Sequence, residues 1–495
     1  MTNLINTLKT HKILILILLI ALFFRTYEVI DRFEFAHDGD LYSWIVKDIV
    51  VNGHPRLIGQ LTTAPGIYIG PFFYYMLIPF FILTKMDPIG AIIPITIVSI
   101  FTVFSYWWVF KKLFNPTVGL IGAFLYGVLL WVIQLDRRVV PSTPTNLWVV
   151  WYFYTLINLV RGNFNVLWIL AILIALVWHI HIALAPALFA APIAILFSRK
   201  WPTKKQILVF FIFLFIFSLP LIMFEAKHGF IQTQSFIKNL SFDQGGGNGY
   251  SKFIFLSYKA TLNLINLIFS PENPIFLKDT PILVATLLSG LLLVKKNLIR
   301  LSEVLTLIAW IIGIFGFYTF SSTVISEYYL SNIEIIYIMI FSLWIFYILK
   351  FSKAWKIIMI GFLGLLFLRS FIYITSVDYY HKGYIEKKSI VEYIKKDSLE
   401  RGFPCISVSY ITTPGENVGF RYFFYLNNLH VNSPSSGSPV YTIVLPDELA
   451  NGRDEKIFGH IKVIPPDQIP TKEEIVKSCS GQNSNLTDPL LGYTE

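Results

Sequence analysis

Two carboxylates, Asp38 and Asp40, stand two residues apart early in the chain. A carboxylate beside apolar surface has a raised pKa, which suits a general base that takes a proton from a substrate. The spacing also permits metal binding by both acids, with His179 and His181 as further ligands. The structural alternative is a solvated loop in which Asp40 caps a helix that begins at Leu41, and in which the histidines only make hydrogen bonds.

Basic and polar side chains occur near the ends of later apolar segments, namely Arg137, Arg138, His181, Glu225, Lys227, His228, Glu327 and Tyr328. Arginine binds phosphate oxygens through two parallel hydrogen bonds, and lysine supplies a point charge. These residues are therefore candidates for a binding site on one side of the membrane, with Tyr329 and Glu334 as further pocket lining. The alternatives are arginines that reach lipid headgroups and an ion pair within residues 225–228.

The composition is that of a membrane protein. Of the 495 residues, 55% are hydrophobic and only 14% are charged, whereas a soluble domain carries about 25% charged residues. The mean hydropathy of +0.63 and the continuous apolar runs exclude a soluble enzyme, a disordered chain, a coiled coil and a transmembrane β-barrel. The sequence predicts an all-α polytopic membrane protein. Basic cytoplasmic loops explain the net charge of +10, so no nucleic-acid partner is expected.

The apolar segments lie near residues 12–30, 67–84, 89–110, 118–134, 144–160, 165–180, 182–198, 207–224, 253–270, 281–294, 304–320, 331–349 and 355–373. A span needs about 20 apolar residues, and cytoplasmic loops are rich in lysine and arginine. If all thirteen segments cross, basic residues such as Lys111, Arg161 and Lys204 fall outside. If 67–84 and 253–270 lie along the outer surface, every basic cluster falls inside. We predict about eleven spans plus two outer juxtamembrane helices, or thirteen spans if these two cross.

This topology predicts an integral protein of the plasma or inner membrane with a cytoplasmic N-terminus and an extracytoplasmic C-terminal region. The unusual polar groups then gather on the outer side, while the cytoplasmic loops hold little beyond basic residues. We therefore expect the chemistry on the extracytoplasmic face. No small-residue cleavage site follows the first apolar run, which favours an uncleaved signal anchor.

The composition changes near Val377, and we predict a transmembrane domain over 1–376 and a small extracytoplasmic α/β domain over 377–495. The charged stretch 383–396 is typical of an amphipathic helix. Strands are predicted at Cys405–Tyr410, Tyr441–Leu445 and Lys456–Ile464, and Ser478–Glu495 is expected to be loosely held. Cys405 and Cys479 lie outside, where disulfides persist, so we predict that they pair conditionally.

Several motifs of the first 373 residues follow one another in an order that resembles the GT-C superfamily of membrane glycosyltransferases. The resemblance is to the family 39 branch, with the protein mannosyltransferases and the lipid A aminoarabinose transferase. The residues that carry it are Asp38, Leu57-Ile58-Gly59, Gly70-Pro71 with Tyr74-Tyr75, Arg138 with Pro141, and the segment 224–230.

The resemblance implies transfer of a sugar from a polyprenyl-phosphate donor to an acceptor hydroxyl, with inversion at the sugar carbon. Asp38 matches the catalytic Asp that opens the family motif Asp-Glu-x-x-Tyr, and Tyr42 matches its last position. Gly39 replaces the usual Glu, so Asp40 is a candidate for the second carboxylate. The substrate-binding candidates are then Asp40, Tyr42, Arg137, Arg138, His181, Glu225, Lys227, His228, Glu327 and Tyr328. Such enzymes usually work without metal, so no cofactor is expected, and the acceptor is an unknown lipid, glycan or protein.

Two other classes of function remain open at this point. A lipid or sugar transporter or flippase would perform no covalent chemistry, and it would show polar or broken helices near mid-membrane, often in paired repeats. This chain has no repeat of fixed period, and its polar groups concentrate on one face. A polysaccharide ligase or polymerase of the same broad type is the second alternative.

Overall fold

The structure is a computed structural model that describes residues 2–62, 64–240, 245–270, 281–379, 381–414, 418–449, 455–467 and 471–487. The α-helices of the membrane part are α1 (Thr2–Thr26), α2 (His37–Val51), α3 (Phe72–Leu83), α4 (Ile92–Leu113), α5 (Pro116–Val128), α6 (Leu130–Asp136), α7 (Thr145–Val160), α8 (Leu167–Ile180), α9 (Ala190–Ser198), α10 (Lys204–Lys227), α11 (Ile231–Leu240), α12 (Gly249–Phe269), α13 (Ile282–Lys295), α14 (Leu301–Phe320), α15 (Glu334–Ile348) and α16 (Lys353–Ser376). Shorter 3₁₀ helices cover Pro88–Ala91, Phe164–Val166, Ile182–Phe189 and Glu327–Ile333.

Local signals explain where individual helices begin. The Asn115 side chain accepts a hydrogen bond from the Val118 amide at 3.0 Å, and Pro116 occupies the first position of α5. The side chain of Thr203 and that of Gln206 form a capping box at the start of α10. Both arrangements satisfy amide groups that have no partner inside the helix.

Each of the thirteen predicted apolar segments forms a helix, which confirms the all-α membrane class. Among the described residues, five helical stretches are long and apolar enough to cross a membrane, and α5 with α6 forms a sixth if this pair, bent by 68°, is one span. Four further apolar helices have 10–17 residues. The chain is therefore an integral membrane protein, and the number of eleven spans stays a prediction.

The C-terminal domain is a mixed α/β layer. It contains α17 (Tyr384–Glu400), α18 (Arg421–Leu426), α19 (Lys472–Ser478), α20 (Ser484–Thr487), β1 (Ile406–Thr412), β2 (Val431–Asn432), β3 (Val440–Leu445), β4 (Lys456–Phe458) and β5 (Ile461–Ile464). The strand order is β2-β1-β3-β5-β4, with β1 parallel to β2 and β3, and with β5 antiparallel to β3 and β4. The predicted small α/β domain is confirmed.

Two details of this domain were predicted wrongly. The stretch Lys456–Ile464 is a hairpin and not one strand, because Gly459 turns the chain with a φ of +60°. Residues 478–487 are held in place, since Arg421 donates to the Asn485 carbonyl at 2.7 Å. Residues 488–495 lie outside the described residues.

The predicted disulfide is present, with the Cα atoms of Cys405 and Cys479 5.5 Å apart.

The two ends of the helical bundle differ. At the end that contacts the C-terminal domain, which we call the domain end, Lys388 forms a salt bridge of 2.8 Å with Asp87 just before α4. At the opposite end, Arg161 donates to the Leu113 carbonyl at 3.2 Å and pairs with Glu303 at 2.7 Å. Basic residues predicted to be cytoplasmic thus lie at the end away from the domain.

Helix α3 has both ends at the domain end. The Gly70 amide, just before α3, donates to the Trp178 carbonyl at 2.8 Å, and Asp87, just after it, contacts Lys388. With 12 residues, α3 is about 18 Å long at 1.5 Å per residue, which is too short for the hydrocarbon core.

Helix α12 has the same arrangement, which agrees with the two predicted juxtamembrane helices. Near its start, Lys252 donates to the Thr323 carbonyl at 2.6 Å, just beyond the domain end of α14. Near its end, Arg369 of α16 donates to the Ile268 carbonyl at 2.6 Å. Residue 369 is close to the end of α16 from which the chain continues into the C-terminal domain.

Candidate active site

Helix α2 carries both early carboxylates and begins at His37, after Ala36. The predicted start at Leu41 was wrong, so Asp40 is not a helix cap but lies in the first turn with Asp38. Successive residues of a helix are rotated by about 100°. Two acids spaced by two residues therefore point about 200° apart, and they face different surroundings.

A cavity of about 1110 Å³ lies at the domain end of the bundle. The first outer loop, the end of α6 and the segment after it, the break between α8 and the following 3₁₀ helix, α11, and the end of α14 all contribute to its wall. Its polar and charged lining residues include Asp38, Gln60, Thr62, Arg138, Thr143, Asn146, His181, Asn239, Asn248, Thr323 and Tyr329. Apolar side chains such as Trp178, Phe317 and Phe320 cover much of the remaining wall.

Asp38 is exposed to this cavity. Protein atoms around the carboxyl group displace part of its hydration, which raises the pKa of Asp38 above its ordinary value, while His37 opposes the shift. A carboxylate with a raised pKa is a stronger base. Its position in an open cavity gives a substrate hydroxyl room to approach.

The loop beside Asp38 is shaped by the two motifs at 57–60 and 70–75. Position 59 accommodates only a glycine, because a Cβ atom there would overlap the ring of Tyr74. The Tyr74 hydroxyl accepts a hydrogen bond from the Gln60 amide at 3.0 Å and donates to the Gln60 side chain at 3.2 Å. Tyr74 is fully buried, so this contact holds Gln60 in the cavity wall.

Arg138 brings a permanent positive charge to the cavity. Of the described residues that line it, Arg138 is the only lysine or arginine. The side chain is exposed and makes no salt bridge with any described residue. The guanidinium group is thus available to bind an anion.

Arg137 does not line the cavity. Its guanidinium group donates to the carbonyls of Phe24 at 3.2 Å and Tyr27 at 2.9 Å, at the end of α1. Asp136 forms a buried salt bridge of 2.7 Å with Arg25. Of the two neighbouring arginines that the sequence singled out, one fastens α6 to α1 and the other lines the cavity.

His181 lines the cavity and its Nδ1 accepts a hydrogen bond from the Ala183 amide at 3.0 Å. Its ring lies 5.0 Å from that of Tyr329, which also lines the cavity. His179 instead contacts the Phe217 carbonyl of α10 at 3.1 Å. The structure therefore does not bring His179, His181, Asp38 and Asp40 together as one ligand set. In the described part of the chain, the only group of three or more such side chains close enough to share a metal ion is Asp447, Glu448 and His460 of the C-terminal domain.

Asp40 and Tyr42, predicted to bind substrate, lie outside the cavity wall. The Asp40 carboxylate is buried under the C-terminal domain and accepts a hydrogen bond from the Tyr422 amide at 2.7 Å. Burial raises the pKa of Asp40 to about 6, although the Tyr422 amide and the charges of Arg421 and Lys387 lower it. Tyr42 packs its buried ring edge-on against Phe73 of α3.

The predicted cluster at 225–228 also lies outside the cavity wall. Glu225 accepts hydrogen bonds from the amides of Gln232 and Thr233, each at 3.0 Å, and so caps α11. The His228 ring stacks on Phe224 at 4.3 Å, and Lys227 is exposed. The side chains of Glu327 and Tyr328 lie outside the described part of the structure. Glu334 is buried in the bundle, where it accepts from the Trp131 indole at 2.9 Å.

Sequence reasoning missed most of the neutral lining. Asn146 stands at the start of an apolar helix, where a polar amide is uncommon and is a usable signal. Gln60 follows the Leu-Ile-Gly motif directly, so it too could have been suspected. Asn239 and Asn248 lie in polar loop and helix sequence, where amides are ordinary, and nothing in the sequence distinguishes them.

Two solved structures of ArnT from Cupriavidus metallidurans resemble nearly the whole chain. The apo structure has a TM-score of 0.54 at 11% identity and covers 94% of this chain and 98% of that chain. The structure bound to undecaprenyl phosphate has a TM-score of 0.53 at 11% identity and covers 91% and 97%. The oligosaccharyltransferase from Archaeoglobus fulgidus in its apo form has a TM-score of 0.48 at 11% identity and covers 86% and 65%.

No protein-family model matches the sequence, and no curated protein matches it. The likeness to ArnT extends over nearly all of both chains, so the chain has the GT-C fold that its motifs predicted. At 11% identity this likeness shows the fold alone.

Proposed function

We propose that this protein transfers a sugar from a polyprenyl-phosphate donor to an acceptor hydroxyl, with Asp38 as the general base. The observation that carries the proposal is that Asp38 and Arg138 line one cavity at the domain end of a GT-C fold. A base and a cation are the two groups that such a transfer needs. One of the structures with this fold holds undecaprenyl phosphate.

The transfer is a single displacement with inversion. The acceptor oxygen attacks the anomeric carbon, and its proton passes to the Asp38 carboxylate. The bond between that carbon and the phosphate oxygen breaks, and its electron pair stays on the phosphate. Arg138 stabilises the negative charge of the released polyprenyl phosphate through charge-assisted hydrogen bonds.

The rest of the cavity fits the two remaining parts of such a substrate. Gln60, Asn146 and Asn239 offer amide groups that can hydrogen-bond to sugar hydroxyls. Phe320 lines the cavity and is 82% exposed, so its ring is available to an isoprenoid chain.

We further propose that the reaction takes place on the extracytoplasmic face of the plasma or inner membrane. The supporting observation is that Arg161 and Leu113 lie together at the end of the bundle opposite the C-terminal domain. An excess of basic residues marks the cytoplasmic side. The C-terminal domain and the cavity are then extracytoplasmic.

The test separates chemistry from donor binding. Purified full-length protein in nanodiscs is given undecaprenyl-phosphate-linked hexoses and pentoses with a membrane lipid extract, and released undecaprenyl phosphate and glycosylated product are measured. Asp38→Asn should lower kcat by on the order of 10²–10⁴-fold, as is typical of the loss of a general base. Arg138→Ala should weaken binding of undecaprenyl phosphate by roughly 10- to 100-fold, because a hydrogen bond to a charged group contributes about 1.5–3 kcal/mol.

Glu34→Gln is the matched control, since Glu34 is an exposed acid four residues before Asp38 that does not line the cavity. It should leave kcat within about twofold. Full activity of Asp38→Asn would remove the catalytic assignment. If the wild-type protein moves a lipid-linked sugar across the membrane without forming a glycosylated product, the transporter alternative is correct.

A further inference from the structure

The C-terminal domain holds the segment that leads into Asp38. The Tyr384 amide donates to the Phe33 carbonyl at 3.0 Å. The Lys387 ammonium group donates to the carbonyls of Phe35 and Val418, each at 2.6 Å. On the other side of Asp38, the Tyr422 amide donates to the Asp40 carboxylate at 2.7 Å.

Lys387 is the central contact of this group. Only 2% of the residue is exposed, and a buried ammonium group must be compensated by hydrogen bonds or opposite charge. The two carbonyl oxygens accept from it, and Asp40 lies close enough to be influenced by its charge. Moving residues 33–36 away from the domain would take the Phe35 carbonyl, one of the two acceptors, from this buried ammonium group, so the contact is costly to break.

The contacts lie on both sides of Asp38 without touching it. Phe35 is three residues before it, and Asp40 is two residues after it. Gly419 of the C-terminal domain also approaches this segment, because a Cβ atom built there would lie 2.5 Å from the Ala36 carbonyl oxygen. Asp38 therefore lies between a backbone contact at Phe35 and a side-chain contact at Asp40, and both restrict its movement.

We propose that the C-terminal domain sets the position of Asp38 and that Lys387 is a positioning residue for the transfer reaction. This inference rests on the proposed function of Asp38. A displacement of a reacting group by 1 Å costs up to about 100-fold in rate. Arg138 is held by a different part of the molecule, since Asp136 and Arg137 fasten α6 to α1, so donor binding is independent of Lys387.

The first test compares two neighbouring lysines. Lys387→Met keeps an unbranched side chain but removes both hydrogen bonds to carbonyls. Lys388→Met is the control, because the Lys388 side chain contacts Asp87 at 2.8 Å and the Tyr384 hydroxyl at 3.0 Å, and none of these partners lies in residues 33–40. We expect Lys387→Met to lower kcat by about 10- to 100-fold with an unchanged Kd for undecaprenyl phosphate, while Lys388→Met retains kcat within about twofold.

A second pair of variants covers the case in which Lys387→Met does not fold. Gly419→Ala and Gly402→Ala both place a side chain at positive φ, at +65° and +72°. The added methyl group of Gly419→Ala meets Ala36, whereas that of Gly402→Ala meets nothing within 4 Å. Backbone strain is therefore similar in the two variants, and only Gly419→Ala should reduce kcat with unchanged Kd.

Three results have distinct meanings. If Asp38→Asn is inactive while folded Lys387→Met matches Lys388→Met in kcat, the positioning role is refuted and the proposed function stands. If kcat falls by the same factor in Gly419→Ala and Gly402→Ala, the contact with Ala36 does not position the base. This result would also refute the positioning role. Full activity of Asp38→Asn would instead refute the proposed function itself.

A pH profile adds a readout that a purely structural role would not change. In the wild-type protein, crowding around Asp38 raises the pKa of its carboxyl group, and the acid limb of kcat reports this group. Release of the segment by Lys387→Met should increase its hydration and move the acid limb to lower pH. An acid limb that coincides with that of the wild-type protein would contradict the inference.

Discussion

Asp38 and Asp40 lie in different surroundings because of their rotation on α2. Asp38 is exposed to the cavity, whereas 1% of Asp40 is exposed and its carboxylate meets the backbone of α18. The pKa of each carboxyl group is raised by desolvation. For Asp38 this supports proton abstraction. For Asp40 the buried charge weakens the contact between α2 and the C-terminal domain at neutral pH.

This difference predicts a pH-dependent effect of Asp40→Asn on stability. The folded-state pKa of Asp40 is raised to about 6, above the value of about 3.9 in an unfolded chain. The folded protein therefore binds more protons than the unfolded chain between these values, and it loses stability as pH rises through this range. Asparagine keeps the oxygen that accepts from Tyr422 but carries no charge.

Thermal unfolding in detergent between pH 4 and pH 8 measures this effect. Asp40→Asn should gain stability over the wild-type protein as the pH rises through about 6, and the two should converge near pH 4. A stability difference that is independent of pH would contradict the prediction. Glu34→Gln, at an exposed acid, should show no such trend.

At the scale of elements, α6 positions the cationic part of the cavity. It has only seven residues and is bent by 68° from α5. Asp136 at its end accepts hydrogen bonds from Tyr126 at 2.8 Å and from Ser99 at 2.7 Å in addition to the Arg25 salt bridge. This buried network fixes the end of the helix from which Arg138 follows two residues later.

Removing one partner of the buried pair should be strongly destabilising. Asp136→Asn leaves Arg25, of which 1% is exposed, without its counter-charge. Breaking a buried ion pair on one side costs about 3–5 kcal/mol. Urea or thermal unfolding in detergent should register this loss. Replacement of both partners in Arg25→Met/Asp136→Leu should recover much of the stability, because no buried charge is then left unpaired.

The matched control is Asp87→Asn, which breaks a partly exposed pair with Lys388. Exposed ion pairs contribute about 0–1 kcal/mol to the free energy of unfolding. The stability of this variant should therefore be close to that of the wild-type protein. Equal stability of Asp136→Asn and Asp87→Asn would show that the buried network does not fasten α6.

At the scale of the whole molecule, the cavity and the C-terminal domain share one end of the bundle, and Arg161 with its neighbours marks the other. Both ends of α3 and both ends of α12 lie at the domain end. Parts of the chain far apart in sequence thus enclose one cavity on one side. If the membrane lies between the two ends, the cavity lies on the side of the C-terminal domain.

Cysteine labelling of intact cells tests the proposed orientation. A cysteine at Pro55, an exposed residue after α2, should react with a membrane-impermeant maleimide added outside, whereas one at Lys205 should react only after permeabilisation. The native cysteines are joined in a disulfide and do not interfere. The opposite pattern would place the C-terminal domain and the cavity in the cytoplasm.

The sequence alone determined the class of the protein and the positions of its elements. Apolar runs must leave water whatever their partners are, so each predicted segment forms a helix. Polar groups at the ends of apolar helices are uncommon, and this signal pointed to Asp38, Arg138 and His181. All three line the cavity. The sign and kind of charge at these positions also suggested a base and a phosphate-binding cation.

Only the tertiary structure decided which of two neighbouring residues enters the cavity. Asp40 and Arg137 are as suitable by type as Asp38 and Arg138, but one is buried under the C-terminal domain and the other holds α1. Lys387 contacts Phe35 across 352 residues of sequence. The physical reason is that side-chain type and local periodicity are properties of short segments, whereas burial and contact depend on packing between segments that are distant in the chain.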